Sequence, residues 1–211
     1  MDIRITKIKK VLPILAIPFL LGVKCNKDDP RPCPMLNSRY SFSVIGIFSP
    51  QRENYNVGDT IYYHSSFPVK LTDRTSNTEI DYSNSVGIEG RLSFVMIDSV
   101  KKEVVPSSHN FFAIVGKVIQ VDKDSTGLNY YYQTGLDSFK VSIAIRLLSK
   151  GLYRFGVSDL HSKGIWRQNC SSAGFDMFIT NSNKNFHLHE NGLGITPDAL
   201  AAPRIFCFRV R

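Results

Sequence analysis

Short runs of alternating apolar and polar residues, separated by turns, are the feature that most restricts the fold of this chain. The clearest run is Ser138–Leu147, in which Phe139, Val141, Ile143, Ile145 and Leu147 occupy every second position. Alternate residues of a β-strand point to the same side, so this run predicts a strand with one buried face.

Similar runs recur along the rest of the chain, and no long segment has helical periodicity. Strands this short, with turn residues between them, predict an all-β fold, either a sandwich or a small β-barrel. The Pro197–Ala202 stretch could form one short helical turn. The other predicted strands are Arg39–Phe48, Thr60–Phe67, Arg91–Asp98, Phe111–Val121, Leu152–Val157, Phe175–Thr180, Asn185–Glu190 and Arg204–Val210.

One local pattern favours the sandwich. The stretch Ser149–Val157 (SKGLYRFGV) resembles the GxYxCxV strand of immunoglobulin-like domains, with Phe155 in the place of the cysteine. The resemblance implies that the Tyr153 hydroxyl caps a turn while its ring joins the core. We therefore expect a single Ig-like β-sandwich, with a small barrel as the alternative.

The N-terminus has the organisation of a secretory signal. Arg4, Lys7, Lys9 and Lys10 precede an apolar core of 13 residues, Val11–Val23. A membrane-spanning helix needs about 20 apolar residues, so this core is too short for a permanent span. The predicted organisation is a signal peptide at residues 1–24, a tether at 25–38 and the β domain at 39–211.

Cys25 closes the apolar core in a way that resembles the lipobox of bacterial lipoproteins. Leu20, Leu21 and Gly22 fit that pattern, whereas Lys24 departs from it because a small residue normally precedes the cysteine. The resemblance implies acylation of Cys25 and anchoring to a membrane. Lys27-Asp28-Asp29 resembles the export signal of Bacteroidota-type surface lipoproteins, which implies the outer face of the outer membrane.

The basic charge does not indicate a nucleic-acid partner. The first 24 residues carry five basic side chains and one acidic side chain, which is half of the formal net charge of +8. The remaining basic residues are scattered, so no basic patch is predicted.

Three further cysteines would lie in an oxidising compartment. We predict a disulfide between Cys170 and Cys207, with pairing of Cys33 to either one as the alternative. Asp124-Ser125-Thr126 resembles the acceptor motif of Bacteroidota-type O-glycosylation, which makes Ser125 a candidate modification site.

Two stretches could bind a ligand. His187 and His189 would share a face of a strand and could approach one metal ion. Tyr130, Tyr131 and Tyr132 could stack on sugars, although alternation requires at least one of them to be buried. Packing in the core is the more common use of such residues.

No catalytic motif, phosphate-binding loop or dinucleotide fingerprint occurs, so neither enzyme activity nor a cofactor is expected. The expected function is a binding module for a glycan or a protein. A glycan-binding module predicts exposed aromatic side chains, and a structural accessory subunit of an outer-membrane complex predicts an exposed apolar patch. A secreted hydrolase predicts carboxylates or histidines that converge in a cleft, with His187 and His189 as the candidate histidines.

Overall fold

The structure, a computed structural model, describes residues 40–85, 87–107, 109–120, 126–162, 173–181 and 184–211. All of them fall within one compact unit, Cys33–Arg211. The predicted signal peptide and the whole predicted tether lie outside the described residues and stay predictions.

The described residues form sixteen strands, one α-helix and one 3-10 helix. The strands are β1 (Tyr40–Ser49), β2 (Asn54–Tyr55), β3 (Thr60–Pro68), β4 (Lys70–Thr72), β5 (Glu79–Asp81), β6 (Glu89–Asp98), β7 (Glu103–Pro106), β8 (His109–Val115), β9 (Lys117–Gln120), β10 (Gly127–Tyr131), β11 (Gln133–Thr134), β12 (Ser138–Leu147), β13 (Gly151–Val157), β14 (Leu160–His161), β15 (Ala173–Ile179) and β16 (Ile205–Val210). Helix α1 spans Phe186–Leu193, and the 3-10 helix spans Ala202–Arg204.

The strands form two layers that enclose one core. The first layer has the order β8, β12, β3, β1, β15, and the second has the order β10, β6, β13, β16. The short β14 pairs with β15 on one side and with β6 on the other, so it joins the layers. The strands at the two ends of the hydrogen-bonded order, β11 and β2, do not pair with each other among the described residues, so the sheet is open. The predicted all-β sandwich is confirmed, and the barrel alternative is not.

The alternation in β12 is what the sequence predicts. Its five alternate apolar residues are buried, whereas Lys140 and Arg146 on the opposite face are exposed. β12 lies between β3 and β8 and pairs antiparallel with both. One face of the strand therefore packs into the core and the other faces outward.

Aromatic side chains from both layers fill the core. Phe48 of the first layer stacks on Phe155 of the second with a ring-centre distance of 4.7 Å. Tyr63 and Tyr130 also meet across the layers, with ring centres 5.6 Å apart and ring planes tilted by 59°. Burying each such side chain contributes about 1.5–3 kcal/mol, so contacts between the layers dominate the stability of the sandwich.

The Tyr153 prediction is also confirmed. Its ring is buried, and its hydroxyl donates a hydrogen bond of 2.8 Å to the backbone oxygen of Ser149. The Ser149 hydroxyl lies 2.7 Å from the same phenolic oxygen. Phe155, in the place of the cysteine in the Ig-like pattern, is fully buried. This is the tyrosine corner of Ig-like sandwiches.

The predicted strand Asn185–Glu190 is wrong, because these residues enter helix α1. Asn185 precedes the helix with a left-handed φ of 52°, and Gly194 ends it with a φ of 74°. Leu188 packs onto the outer face of the second layer, against a cluster that includes Ile97 and Cys207. Packing on this apolar cluster stabilises the helix, although its local sequence also fits a strand.

The predicted strand Phe111–Val121 is divided in two. Gly116 separates β8 from β9 and has a φ of 83°, a conformation that glycine adopts without strain. A side chain at Gly116 would also meet the backbone oxygen of Tyr131 at 2.4 Å. The turn therefore requires glycine for both reasons. No helix within the described ranges is long and apolar enough to cross a membrane.

Candidate functional site

The outer face of the first layer carries exposed apolar side chains from three strands. Ile45 is 53% exposed, Phe112 is 55% exposed and Ile114 is 57% exposed. Ile47 and Tyr62 lie on the same face and are also exposed. Single exposed apolar residues are common on proteins, but a contiguous group marks an interaction surface. We call this surface, on β8, β12, β3 and β1, the apolar face.

The strand register brings these side chains into rows. Phe112 pairs with Ala144, and Ala144 pairs with Tyr62. One row further along, Ser142 pairs with Val115 and His64, and His64 pairs with Ile47. Side chains directly opposite each other on neighbouring strands lie about 5 Å apart. The rows therefore make a continuous surface.

A groove of about 400 Å³ crosses the apolar face. Its lining includes Ile45, Ile47, Val115 and Lys140 together with the small residues Ser66 and Ser142. The short side chains of Ser66 and Ser142 form the floor of the groove, and the longer side chains form its sides. A groove of this kind can accept a large apolar side chain from another molecule.

Polar groups of the groove are held by internal hydrogen bonds. The Ser142 hydroxyl lies 3.0 Å from Nδ1 of His64, and the Ser65 hydroxyl donates to the Ile45 carbonyl at 2.6 Å. The His64 ring also stacks on Tyr62, with an angle of 15° between the planes. The shape of the groove is therefore set before anything binds.

Two cations lie on the middle strand of the apolar face. Lys140 and Arg146 are both exposed on β12, on either side of Ser142 and Ala144. Neither forms an ion pair with any residue that the structure describes. The face therefore combines apolar contact with positive charge.

The outer face of the second layer is also apolar. Ile97, Leu152, Ile205 and Cys207 form an apolar cluster there, and helix α1 covers it with Leu188. Within the described ranges, no helix covers the apolar face of the first layer. Both faces are apolar, but among the described residues a helix covers only the face of the second layer.

The predicted tyrosine cluster is divided between the core and the surface. Tyr130 and Tyr132 are buried, and the Tyr132 hydroxyl donates to the Ser65 hydroxyl at 2.8 Å. Burial raises the pKa of Tyr63, their neighbour, to about 12. Tyr131 is half-buried and hydrogen-bonds to Glu89, which raises the Tyr131 pKa. These three rings do not form a stacking platform.

The premise of the His187 and His189 metal site is wrong. The two residues lie on helix α1, where a separation of two places side chains on different sides. Nε2 of His187 lies 3.4 Å from Oε2 of Glu53 at the surface, whereas His189 is buried and burial lowers its pKa. No group of three His, Cys, Asp or Glu residues suited to a metal ion occurs in the described part of the chain.

Cys207 is buried on β16 and forms no disulfide with any residue that the structure describes. Burial raises the pKa of its thiol to about 12. Its predicted partner Cys170 lies outside the described residues, as do Cys25, Cys33 and Ser125. The disulfide, the acylation and the glycosylation therefore stay predictions.

Sequence reasoning missed the apolar face, although a signal for it exists. The stretch Arg39–Phe48 alternates through Tyr40, Phe42 and Val44, but Ile45 and Ile47 occupy the other parity. A strand with apolar residues on both faces has two surfaces to cover. In β1 the core covers only one of them.

No protein-family model matches the chain, and no curated protein is similar to it at a significant level. Solved structures with some similarity include the second type II cohesin module from the cellulosomal adaptor ScaA scaffoldin of Acetivibrio cellulolyticus. That match has 10% identity and a TM-score of 0.32, and it covers 68% of this chain and 94% of that chain. Another is the cohesin module from the Clostridium perfringens ATCC13124 family 33 glycoside hydrolase, with 10% identity, a TM-score of 0.25, and coverage of 64% and 98%. Similarity at this level does not identify a family.

Proposed function

We propose that this chain is a lipid-anchored protein of the bacterial outer membrane whose β-sandwich binds a protein partner through the apolar face. The observation that carries the binding proposal is the contrast between the two layers. Helix α1 covers one apolar outer face, whereas no helix of the described residues covers the other, which a groove crosses. Leaving such a face in water is costly unless a partner covers it.

A protein partner fits better than the two other candidates. Glycan binding through the tyrosine cluster requires exposed rings, and Tyr130 and Tyr132 are buried. A hydrolase site near His187 and His189 requires the two imidazoles to converge, and α1 separates them. The exposed apolar patch is the feature expected of an interaction module or of an accessory subunit of a membrane complex.

The face also indicates the chemistry of the partner. Apolar and aromatic contacts dominate the centre of protein interfaces, and a few anchoring side chains contribute most of the affinity. The groove can accept one such anchor, and Lys140 and Arg146 favour carboxylates beside it. A stable interface buries about 800 Å² on each partner. We therefore propose a partner with an apolar anchor next to acidic residues.

Site-specific photo-cross-linking in intact cells tests the binding surface. A photoreactive residue at Phe112 should give a discrete adduct with one protein, because Phe112 is a large exposed side chain of the apolar face. The matched control carries the same group at Val104, which is 44% exposed on β7 of the other layer. Equal adducts at both positions, or none at Phe112, would contradict the proposal.

A second variant shows whether the adduct depends on the face itself. Ile45→Ser removes an exposed apolar side chain at the groove, and we expect about tenfold weaker binding or more, as for a hot-spot residue. Val104→Ser should leave the adduct unchanged. The identity of the adduct also separates a subunit of a stable membrane complex from a transient partner.

The anchor is tested separately. We expect metabolic labelling with palmitate to mark the wild-type protein and not the Cys25→Ser variant. The variant should also leave the membrane fraction. An unlabelled wild-type protein, or a variant that fractionates as the wild type does, would remove the anchor without affecting the binding surface.

A further inference from the structure

A second pocket lies where the chain passes from β13 to β14. β13 pairs with β6 as far as Val157 and Leu92, and β14 resumes the pairing at His161 and Glu89. A pocket of about 240 Å³ opens at this interruption. It shares no residue with the groove on the apolar face. Its side chains are polar: Glu89, Arg91, Asn129, Ser158, Asp159 and His161.

The strand register explains why these groups converge. Asn129 of β10 pairs with Arg91 of β6, and His161 of β14 pairs with Glu89. Three strands therefore contribute to one small area. β6 lies between β10 and β14 and supplies Glu89 and Arg91, which carry opposite charges.

Hydrogen bonds hold the two carboxylates of the pocket in place. The Tyr131 hydroxyl donates to Glu89 from the neighbouring strand. Arg204 contacts both oxygens of Asp159, with distances of 2.9 and 2.8 Å, and the backbone N–H of Met177 donates to Asp159 at 3.2 Å. A binding site whose side chains are already positioned loses less entropy on binding.

The charges of the pocket balance. Among the lining residues Glu89 and Asp159 are negative and Arg91 is positive, and Arg204, outside the lining, pairs with Asp159. A phosphate or a polyamine would therefore meet one repulsive pair for each attractive one. A neutral ligand with several hydroxyl groups suits the site better, because carboxylates accept hydrogen bonds, guanidinium groups donate them, and Asn129 does both. The Ser158 hydroxyl already accepts from the backbone N–H of Arg91 at 3.1 Å and donates to the backbone oxygen of Arg91 at 3.3 Å.

We propose that this pocket binds the ring of a neutral sugar. Its volume is below the range of about 300–1,000 Å³ for pockets of drug-sized ligands, which limits it to one ring. Glu89 and Arg91 would contact adjacent hydroxyl groups of that ring. Tyr131 is a positioning residue, because it acts through Glu89. The proposal is independent of the apolar face and of its partner.

Titration of the isotope-labelled protein with four neutral sugars tests this site. Glucose, galactose, mannose and N-acetylglucosamine are added separately at millimolar concentrations, and backbone amide shifts are followed by NMR. At least one sugar should give saturable shifts at Glu89, Arg91, Asn129 and His161. If none of the four produces a saturable shift there, the proposal is wrong.

Variants separate specific binding from a general effect. Glu89→Gln keeps the size of the side chain and removes its charge, and we expect about tenfold weaker binding. Arg91→Ala should weaken binding similarly, and Tyr131→Phe less, because the ring stays and only the bond to Glu89 is lost. The control Val104→Ser, at an exposed position outside the pocket, should bind as the wild type does. Unchanged affinity in Glu89→Gln would overturn the proposal, as would tighter binding of phosphate or putrescine than of any sugar.

Discussion

The side chain of Asn181 hydrogen-bonds to both backbone polar groups of Phe48. The Phe48 N–H donates to Oδ1 at 2.8 Å, and Nδ2 donates to the Phe48 oxygen at 3.1 Å. β15 pairs with β1 only as far as Ile179, opposite Gly46. Beyond that point the amide of Asn181 takes the place of the neighbouring strand.

Replacing this amide should destabilise the sandwich. In Asn181→Ala both polar groups of the buried Phe48 backbone lose their partners, and we expect a loss of about 2–3 kcal/mol in the free energy of unfolding. Chemical denaturation measures it. Asn191→Ala, at an exposed position of α1, is the matched control and should change stability by less than about 0.5 kcal/mol. Equal losses in the two variants would show that the paired hydrogen bonds are unimportant.

The tyrosine corner should contribute a smaller amount. Tyr153→Phe keeps the buried ring and removes the hydroxyl that donates to Ser149. We expect a loss of about 1 kcal/mol, the usual net contribution of one hydrogen bond. Tyr62→Phe removes a hydroxyl from an exposed ring and serves as the control. A Tyr153→Phe variant as stable as the wild type would contradict the expected role of the corner.

His109 should make the protein less stable in mild acid. Its ring lies between Phe94 and Phe111, with ring-centre distances of 4.6 and 4.1 Å, and burial lowers its pKa from 6.5 to about 4. The unfolded chain therefore binds a proton at a higher pH than the folded chain does. Stability is full above pH 6.5 and falls as the pH drops toward 4.

The His109→Gln variant isolates this contribution. Unfolding of both proteins is measured between pH 4 and pH 7. The difference in stability between wild type and variant should depend on pH in this range, with the wild type losing more on acidification. Parallel curves would exclude His109 as the cause.

Asp73 should act in stronger acid. Backbone N–H groups of Ser41 and Ser76 donate to its carboxylate at 2.8 Å each, and the Ser76 hydroxyl donates at 2.7 Å. These bonds lower the Asp73 pKa from 3.8 to about 2. Its stabilising effect is therefore complete above pH 3.8 and disappears as the pH falls through 2. The advantage of wild type over Asp73→Asn should shrink over that interval, and an advantage that stays constant would refute the assignment.

Helix α1 should control access to Cys207. Leu188 is buried against the cluster that contains Cys207. Leu188→Ala removes this contact, so α1 should detach more often and alkylation of the thiol should accelerate. Truncating a buried leucine also costs about 2–5 kcal/mol of stability. His187→Ala, on the exposed side of α1, should leave the alkylation rate unchanged.

The alkylation experiment also checks the predicted disulfide. A Cys207 that pairs with Cys170 will react only after reduction, whatever the state of α1. Reaction without reductant would therefore show that the thiol is free.

Period-two patterns predict this fold well where a strand has one buried face. β12 is the clearest example, and the Tyr153 motif in β13 adds the correct corner. The pattern fails for α1 because eight residues are too few to establish a helical period. Phe186 and Leu188 fit a strand equally well, and only the apolar surface beneath them selects the helix. The decisive interaction is between residues far apart in the chain.

The candidate surfaces were harder to predict for the same reason. Ile45 and Ile47 show that β1 is apolar on both sides, but sequence alone does not say which outer face α1 covers. The polar pocket depends on the interruption between β13 and β14, at Ser158–Leu160. The predicted Tyr131 does lie beside that pocket, bound to Glu89, although it was singled out for its ring rather than its hydroxyl.

The position of β1 has a consequence for how the chain reaches its native state. This first strand is central, with β3 on one side and β15 on the other, and it runs parallel to β15. Residues more than 120 positions apart must therefore meet before the first layer is complete. A ribosome or a translocation channel that still holds residues 173–179 keeps that layer unfinished, so the domain can close only after those residues have been released.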